Sequence, residues 1–196
     1  MESIDRLHTT AESHHRIMVV EVMGRHAGWI AVYAGMAGGA DFIFIPEIPI
    51  NLQEVCGVIR ERHARGKNFS IIVVAEGTRF SDQGFVQADQ KRDEFGHVRL
   101  GGIGDRLAQL IEKETGFETR VTVLGHVLRG GSPTAFDRVL GTRFGVKAIG
   151  LVLAGDWGKM ASLKGNTIVS MPIEEATRQL KLVDMELYDI AKIFFG

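Results

Sequence analysis

A single cysteine, Cys56, stands in 196 residues. It excludes an intramolecular disulfide framework and any zinc site built on two or four thiolates, and it fits a reducing, cytoplasmic setting. Net charge is equally scarce. The 23 Lys+Arg against 24 Asp+Glu leave −1, which argues against a chain that coats nucleic acid or an anionic membrane. Aromatics are only 8% of residues, which removes the stacking side chains that nucleic-acid recognition uses. Apolar runs such as 71–75 fall far short of the roughly 20 residues that a spanning helix needs. Residues 1–7 hold no apolar stretch and carry Glu2 and Asp5, so they do not read as a signal peptide. What is plentiful is glycine: 24 of 196 residues, well above the usual share of about 7%.

Strand-like and helix-like segments alternate. Residues 4–13 read as a polar helix. Residues 17–22 are an apolar, β-branched strand, followed by a helix of small and apolar residues at 27–37. A strand at 41–45 closes on Pro46. Asn51 with Glu54 three residues on marks a helix start, and Gly66 follows that helix, which runs to about 65, as its C-terminal stop. Residues 70–75 form a strand apolar throughout, as in a sheet covered on both faces. A polar excursion at 77–99 precedes a helix at 103–115, ended by Gly116. Then come a strand at 120–124, a loop at 125–133, a helix at 135–154, strand-like pieces at 160–163 and 167–171, and helices at 173–182 and 185–194. This alternation predicts an α/β fold: a three-layer sandwich with a mostly parallel sheet flanked by helices.

In such sheets ligands bind beyond the carboxyl ends of the strands. Three strands end there in chemistry-bearing residues: Met23-Gly24-Arg25-His26 after the first, Glu76-Gly77-Thr78-Arg79 after the third, and His126 to Arg129 after the fourth. Glycines let backbone N–H groups approach an anion, and the helix N-termini after Gly28 and Pro133 favour negative charge. Arg25 and Arg129 add forked guanidiniums suited to phosphate. Glu76 is an acceptor for sugar hydroxyls. The composite reads as a site for a phosphorylated, hydroxyl-rich small molecule. Taken singly, each residue has a plainer reading: Gly24 and Gly28 as packing glycines, His126 as a structural histidine, and Glu21 as half of a buried ion pair or hydrogen-bond network.

Other candidates fail. Gly102-x-Gly104 lacks the third glycine and the leading strand of a dinucleotide fingerprint. His14-His15 has the wrong spacing for a helical metal pair. Cys56 sits in a helix with no basic groove and reads as inert. Arg60, Arg62, Arg65 and Lys67 read as the solvated, cation-favouring end of a helix.

Two strings, VVEVMGRHAGW at 19–29 and LGHVLRGGSP at 124–133, closely resemble signature stretches of the 6-phosphofructokinases; IEKETG at 111–116 and Pro46-Glu47 agree. The resemblance spans essentially the whole chain and is nearest to bacterial enzymes of the mixed ATP/pyrophosphate subgroup. It implies a fructose 6-phosphate site on Met23, Gly24, Arg25, Glu76, His126 and Arg129. It further implies that Arg16 and Arg120 reach into the neighbouring subunit's site, in a homodimer or homotetramer, and grip the 6-phosphate. The implied reaction is phosphorylation of fructose 6-phosphate by ATP or pyrophosphate with Mg²⁺, in glycolysis, in the cytoplasm.

The family's Gly-rich nucleotide loop and its aspartate base are not in the chain. The resemblance therefore implies a C-terminal portion, 1–196, without the nucleotide-binding portion, the Mg²⁺ ligands or any catalytic base, and inactive alone. The alternative from another class is a non-catalytic sugar-phosphate-binding or assembly module of the same fold. Upstream sequence discriminates: a phosphate loop and an aspartate base favour the enzyme.

Overall fold

The computed structural model describes residues 1–81 and 102–196. Of the polar excursion expected at 77–99, the part from 82 onward lies outside the described residues. The chain divides into two compact units, Met1–Leu128 with Leu182–Gly196, and Arg129–Lys181.

The first unit is built on four parallel strands in the order β2 (Phe42–Phe44), β3 (Ser70–Ala75), β1 (Ile17–Val22), β4 (Thr119–Val123). In register, Ile17 stands opposite Ser70 on one side and Thr119 on the other. Every residue of β1 and β3 is buried, and the two-residue period of a strand divides them between two cores. Met18, Val20, Val22, Ile71, Val73 and Ala75 face one core. It is closed by α1 (Glu2–His14), α2 (Trp29–Ala37) and α7 (Met185–Lys192). Ile17, Val19, Ile72 and Val74 face the other, under α3 (Leu52–Ala64) and α4 (Ile103–Thr115). Helices on both faces of a parallel sheet are the expected three-layer arrangement. The continuous apolar runs of β1 and β3 are what such double coverage demands.

Local signals place the helix ends. The Asn51 side chain accepts the Glu54 N–H at 3.3 Å at the start of α3. Gly116, at φ +76°, ends α4 in the left-handed conformation that glycine adopts without strain. The basic run at the end of α3 departs from expectation. Arg62 is buried, pairs with Asp41 at 2.6 Å and donates to Ser70 Oγ at 3.2 Å. Asp41 in turn accepts the Ile71 N–H at 2.8 Å. This guanidinium is a tie between α3 and the β2/β3 edge, because the half-buried Asp41 carboxylate and Ser70 Oγ both face it. Arg60 donates to the Glu114 carbonyl at 2.6 Å, and Arg60, Arg65 and Lys67 are all exposed, as expected.

The second unit comprises α5 (Ala135–Leu153), a hairpin of β5 (Lys159–Lys164) and β6 (Thr167–Pro172), and α6 (Ile173–Thr177). Gly165, at φ +60°, takes the first corner of the two-residue turn. Helix α6 stops at Thr177, short of the expected 182, and buries none of its residues. A short helix without a buried face has little to extend it. In α5 no residue is buried either, and Phe136, Val139, Val146, Ile149 and Leu153 lie exposed. No helix among the described residues is long and apolar enough to cross a membrane.

Candidate functional site

The carboxyl ends of β1, β3 and β4 are laced together through the backbone. Glu76 N–H donates to the Val22 carbonyl at 2.9 Å, Gly77 N–H to the Gly24 carbonyl at 3.0 Å, and Leu124 N–H to the Glu21 carbonyl at 3.0 Å. The ladder therefore continues past the strands into the turns. It fixes Met23-Gly24-Arg25 beside Glu76-Gly77. Gly77 is required here: a Cβ on it would lie 1.9 Å from the Arg25 carbonyl oxygen. Met23, Gly24 and Glu76 are half-buried, whereas Arg25 is exposed. Exposed His126 lies in a 3₁₀ turn, Gly125–Arg129, that follows β4. Arg129 closes that turn and is the first residue of the second unit.

The helix N-termini expected to receive an external anion are already served by the protein's own carboxylates. Gly28 N–H, at the start of α2, donates to both oxygens of Glu47 at 3.2 Å, and Glu47 also accepts the Val183 N–H at 3.0 Å. At α5, Thr134 and Asp137 form a reciprocal capping box. Each carboxylate meets the partial positive charge that phosphate was expected to meet. Arg25 remains at the carboxyl edge as an exposed guanidinium. The Thr134/Asp137 pattern, a hydroxyl three residues before a carboxylate, was legible in the sequence and overlooked.

Glu21 is resolved as a hydrogen-bond acceptor. Its carboxylate takes the Gly104 N–H at 2.8 Å, which anchors the start of α4 to the centre of the sheet and accounts for the glycines at 102 and 104. Burial holds the Glu21 carboxyl above its ordinary range, against the lowering effect of the Gly104 and Gly102 N–H groups; Asp105 and Glu76 add to the rise. A raised folded-state pKa favours the fold below the unfolded value of about 4.5, and that contribution is lost as pH climbs through the folded value. Glu21→Gln, which keeps an acceptor without the charge, is therefore expected to equal or exceed the parent in thermal stability at pH 7. Its advantage should vanish near pH 4. Glu21→Ala strands the buried N–H and should cost about 1–3 kcal/mol at either pH. Melting curves at the two pH values check this; a Gln variant less stable than the Ala variant contradicts it.

Arg16 and Arg120 occupy the other edge. Arg16 directly precedes β1, and Arg120 is the second residue of β4, opposite Met18. A strand of six residues such as β1 spans about 20 Å, so these two arginines stand roughly that far from Met23–Arg25 along the sheet. The structure brings them together through a residue the sequence analysis missed. Arg16 Nε donates to Glu118 Oε2 at 2.7 Å, and Arg120 donates to Glu118 Oε1. Glu118 and Arg120, two apart on an extended chain, share one side of it. That was the only local signal.

Among the described residues no group of three or more His, Cys, Asp or Glu is placed to hold a metal ion.

The family profile described as Phosphofructokinase matches residues 1–152. The chain belongs to the phosphofructokinase family. A pyrophosphate–fructose 6-phosphate 1-phosphotransferase of Streptomyces coelicolor is 56% identical over 195 residues, and an ATP-dependent 6-phosphofructokinase of Mycobacterium leprae is 53% identical over 195. Each alignment takes in 100% of this chain and 57% of the relative. This phosphofructokinase chain thus spans little more than half the length of the curated relatives it matches. A solved phosphofructokinase from Saccharomyces cerevisiae superposes with a TM-score of 0.74 at 32% identity, covering 98% of this chain and 23% of that one.

Proposed function

We propose that this chain supplies the sugar-phosphate portion of an enzyme that phosphorylates fructose 6-phosphate to fructose 1,6-bisphosphate, as a step of glycolysis in the cytoplasm. The observation that carries the reading is the laced carboxyl edge, where a guanidinium, a carboxylate and an imidazole end three neighbouring strands of a phosphofructokinase fold. Arg25 and Arg129 hold and neutralise phosphate charge. Glu76 and the Met23-Gly24 backbone orient the sugar, and His126 adds a hydrogen bond. The sugar 1-hydroxyl attacks the terminal phosphorus of the donor, its proton leaves to a base, and the donor's leaving group departs. This chain contributes positioning and electrostatics to that step; the base and the donor site belong to a portion outside these residues. Mg²⁺ is the family's expected metal, and among the described residues no cluster fits it; its ligands belong with the donor site.

The donor is ATP or pyrophosphate, and relatives named for each stand at 53% and 56% identity. The two-edged layout supports an oligomeric site. Arg16 and Arg120 stand roughly a strand length from the carboxyl edge of their own chain, too far to grip a sugar phosphate held there. That distance supports a role for them at the site of a neighbouring subunit, in a dimer or a tetramer.

A coupled assay tests this reading. A protein of the relatives' full length carrying this sequence is expected to turn over fructose 6-phosphate with ATP or pyrophosphate. Purified 1–196 alone should give no turnover. Absence of activity with both donors in the longer protein refutes the enzyme; turnover by 1–196 refutes the division of labour.

A further inference from the structure

We propose that Glu118 is a positioning residue that holds Arg16 and Arg120 together as one phosphate-receiving pair at the amino edge of the sheet. The inference rests on the reading of those two arginines as sugar-phosphate contacts.

The Glu118 backbone is fixed, since its carbonyl accepts the Ile17 N–H at 3.0 Å at the start of β1. Its carboxylate is bonded on one oxygen by Arg16 Nε at 2.7 Å and on the other by a terminal nitrogen of Arg120. Two guanidiniums side by side repel, and each is a long, flexible side chain with much rotamer freedom to lose. A carboxylate between them offsets the repulsion and restricts both before any ligand arrives. Each guanidinium has five N–H donors, so one bond to Glu118 from each leaves most of the fork on both free to bind a second anion. The trio keeps a net charge of +1, which still complements a phosphate.

The hydrogen bond from Arg16 holds the Glu118 carboxyl below its usual range, and the charges of Arg120, Arg16 and His14 act in the same direction. The group is therefore ionised throughout the neutral range, and the clamp is constant there. Glu118 is part-exposed, and its two partners are more than a third exposed on average. Its value to stability is accordingly small, which leaves orientation of the arginines as its use.

The test uses the enzyme at the relatives' full length, assembled as its oligomer. Glu118→Gln is expected to raise KM for fructose 6-phosphate roughly five- to tenfold, with kcat and the donor KM unchanged. In an Arg16→Ala/Arg120→Ala background the same substitution should add nothing further, because the residue acts through the two guanidiniums it holds. If Glu118→Gln leaves KM unaltered, or lowers it by removing a competitor for phosphate, the proposal is overturned. A further effect in the Arg16→Ala/Arg120→Ala background also overturns it, since that is the mark of a merely structural contact. If Arg16→Ala and Arg120→Ala themselves leave KM unchanged, the underlying reading of the arginines fails instead.

Discussion

Two variants of the full-length enzyme that are each crippled, Arg25→Ala and Arg120→Ala, should restore activity when their protomers are mixed into one oligomer. Arg25 follows β1 in the turn at the carboxyl edge of the sheet, while Arg120 is the second residue of β4 at the amino edge. Under the proposed shared site, each site of a two-fold dimer takes one edge from each protomer. A hybrid then holds one site lacking both arginines and one site lacking neither. Random re-association at equal amounts makes half the dimers hybrid, so about one quarter of all sites carry both side chains. Each variant alone should show KM for fructose 6-phosphate raised roughly 10- to 100-fold, the worth of one or two charged hydrogen bonds. At low substrate the refolded or co-expressed mixture should recover about a quarter of the parental rate. Recovery no greater than the average of the separate variants would place Arg25 and Arg120 in one chain's site, or Arg120 in none.

Much of this layout was legible in the sequence. The strand at 70–75 and the helix at 103–115 have the expected bounds, because β-branched runs and a terminal glycine are local signals that the fold has no reason to override. The rule that parallel strands open their binding edge at the carboxyl end was enough to group Arg25, Glu76 and His126. What local pattern does not carry is pairing across long separations. Arg62 looks solvated beside Arg60 and Arg65, and only Asp41, brought over by the sheet, gives the buried guanidinium its ion-pair partner. The helix start at Gly28 looks open to phosphate until Glu47, 19 residues away, is folded against it, and Glu21 finds the Gly104 N–H only across 83 residues. Arg16 and Glu118 are 102 residues apart and meet only because β1 and β4 lie in register. The separation of the two edges likewise needs that register. Helix α5 mixes apolar residues with Asp137, Arg138, Arg143 and Lys147 and concentrates its apolar side chains on no one face, so its pattern does not mark a buried side, and none of its residues is fully buried.

Gly77→Ala should produce the largest loss from the smallest change. The added methyl would stand 1.9 Å from the Arg25 carbonyl oxygen and 2.8 Å from the Gly24 carbonyl oxygen. Both contacts are backbone, so no side chain can swing aside, and the turn bearing Met23-Gly24-Arg25 must retreat by about an ångström or more to reach ordinary contact distance. That movement also strains the Gly77 N–H to Gly24 bond, 3.0 Å in the parent. A displacement of this size in groups that orient a substrate costs on the order of 100-fold in kcat/KM. The expected result in the full-length enzyme is a fall of that order toward fructose 6-phosphate, with the donor KM little changed. Gly66→Ala is the control. Gly66 has φ +83° and open space around it, so alanine there should cost about 1 kcal/mol of stability through backbone strain and leave both KM values alone. Steady-state kinetics on the two variants, read beside their melting curves, separate the effects. Parental kcat/KM in Gly77→Ala would mean that the turn carrying Arg25 does not hold the substrate.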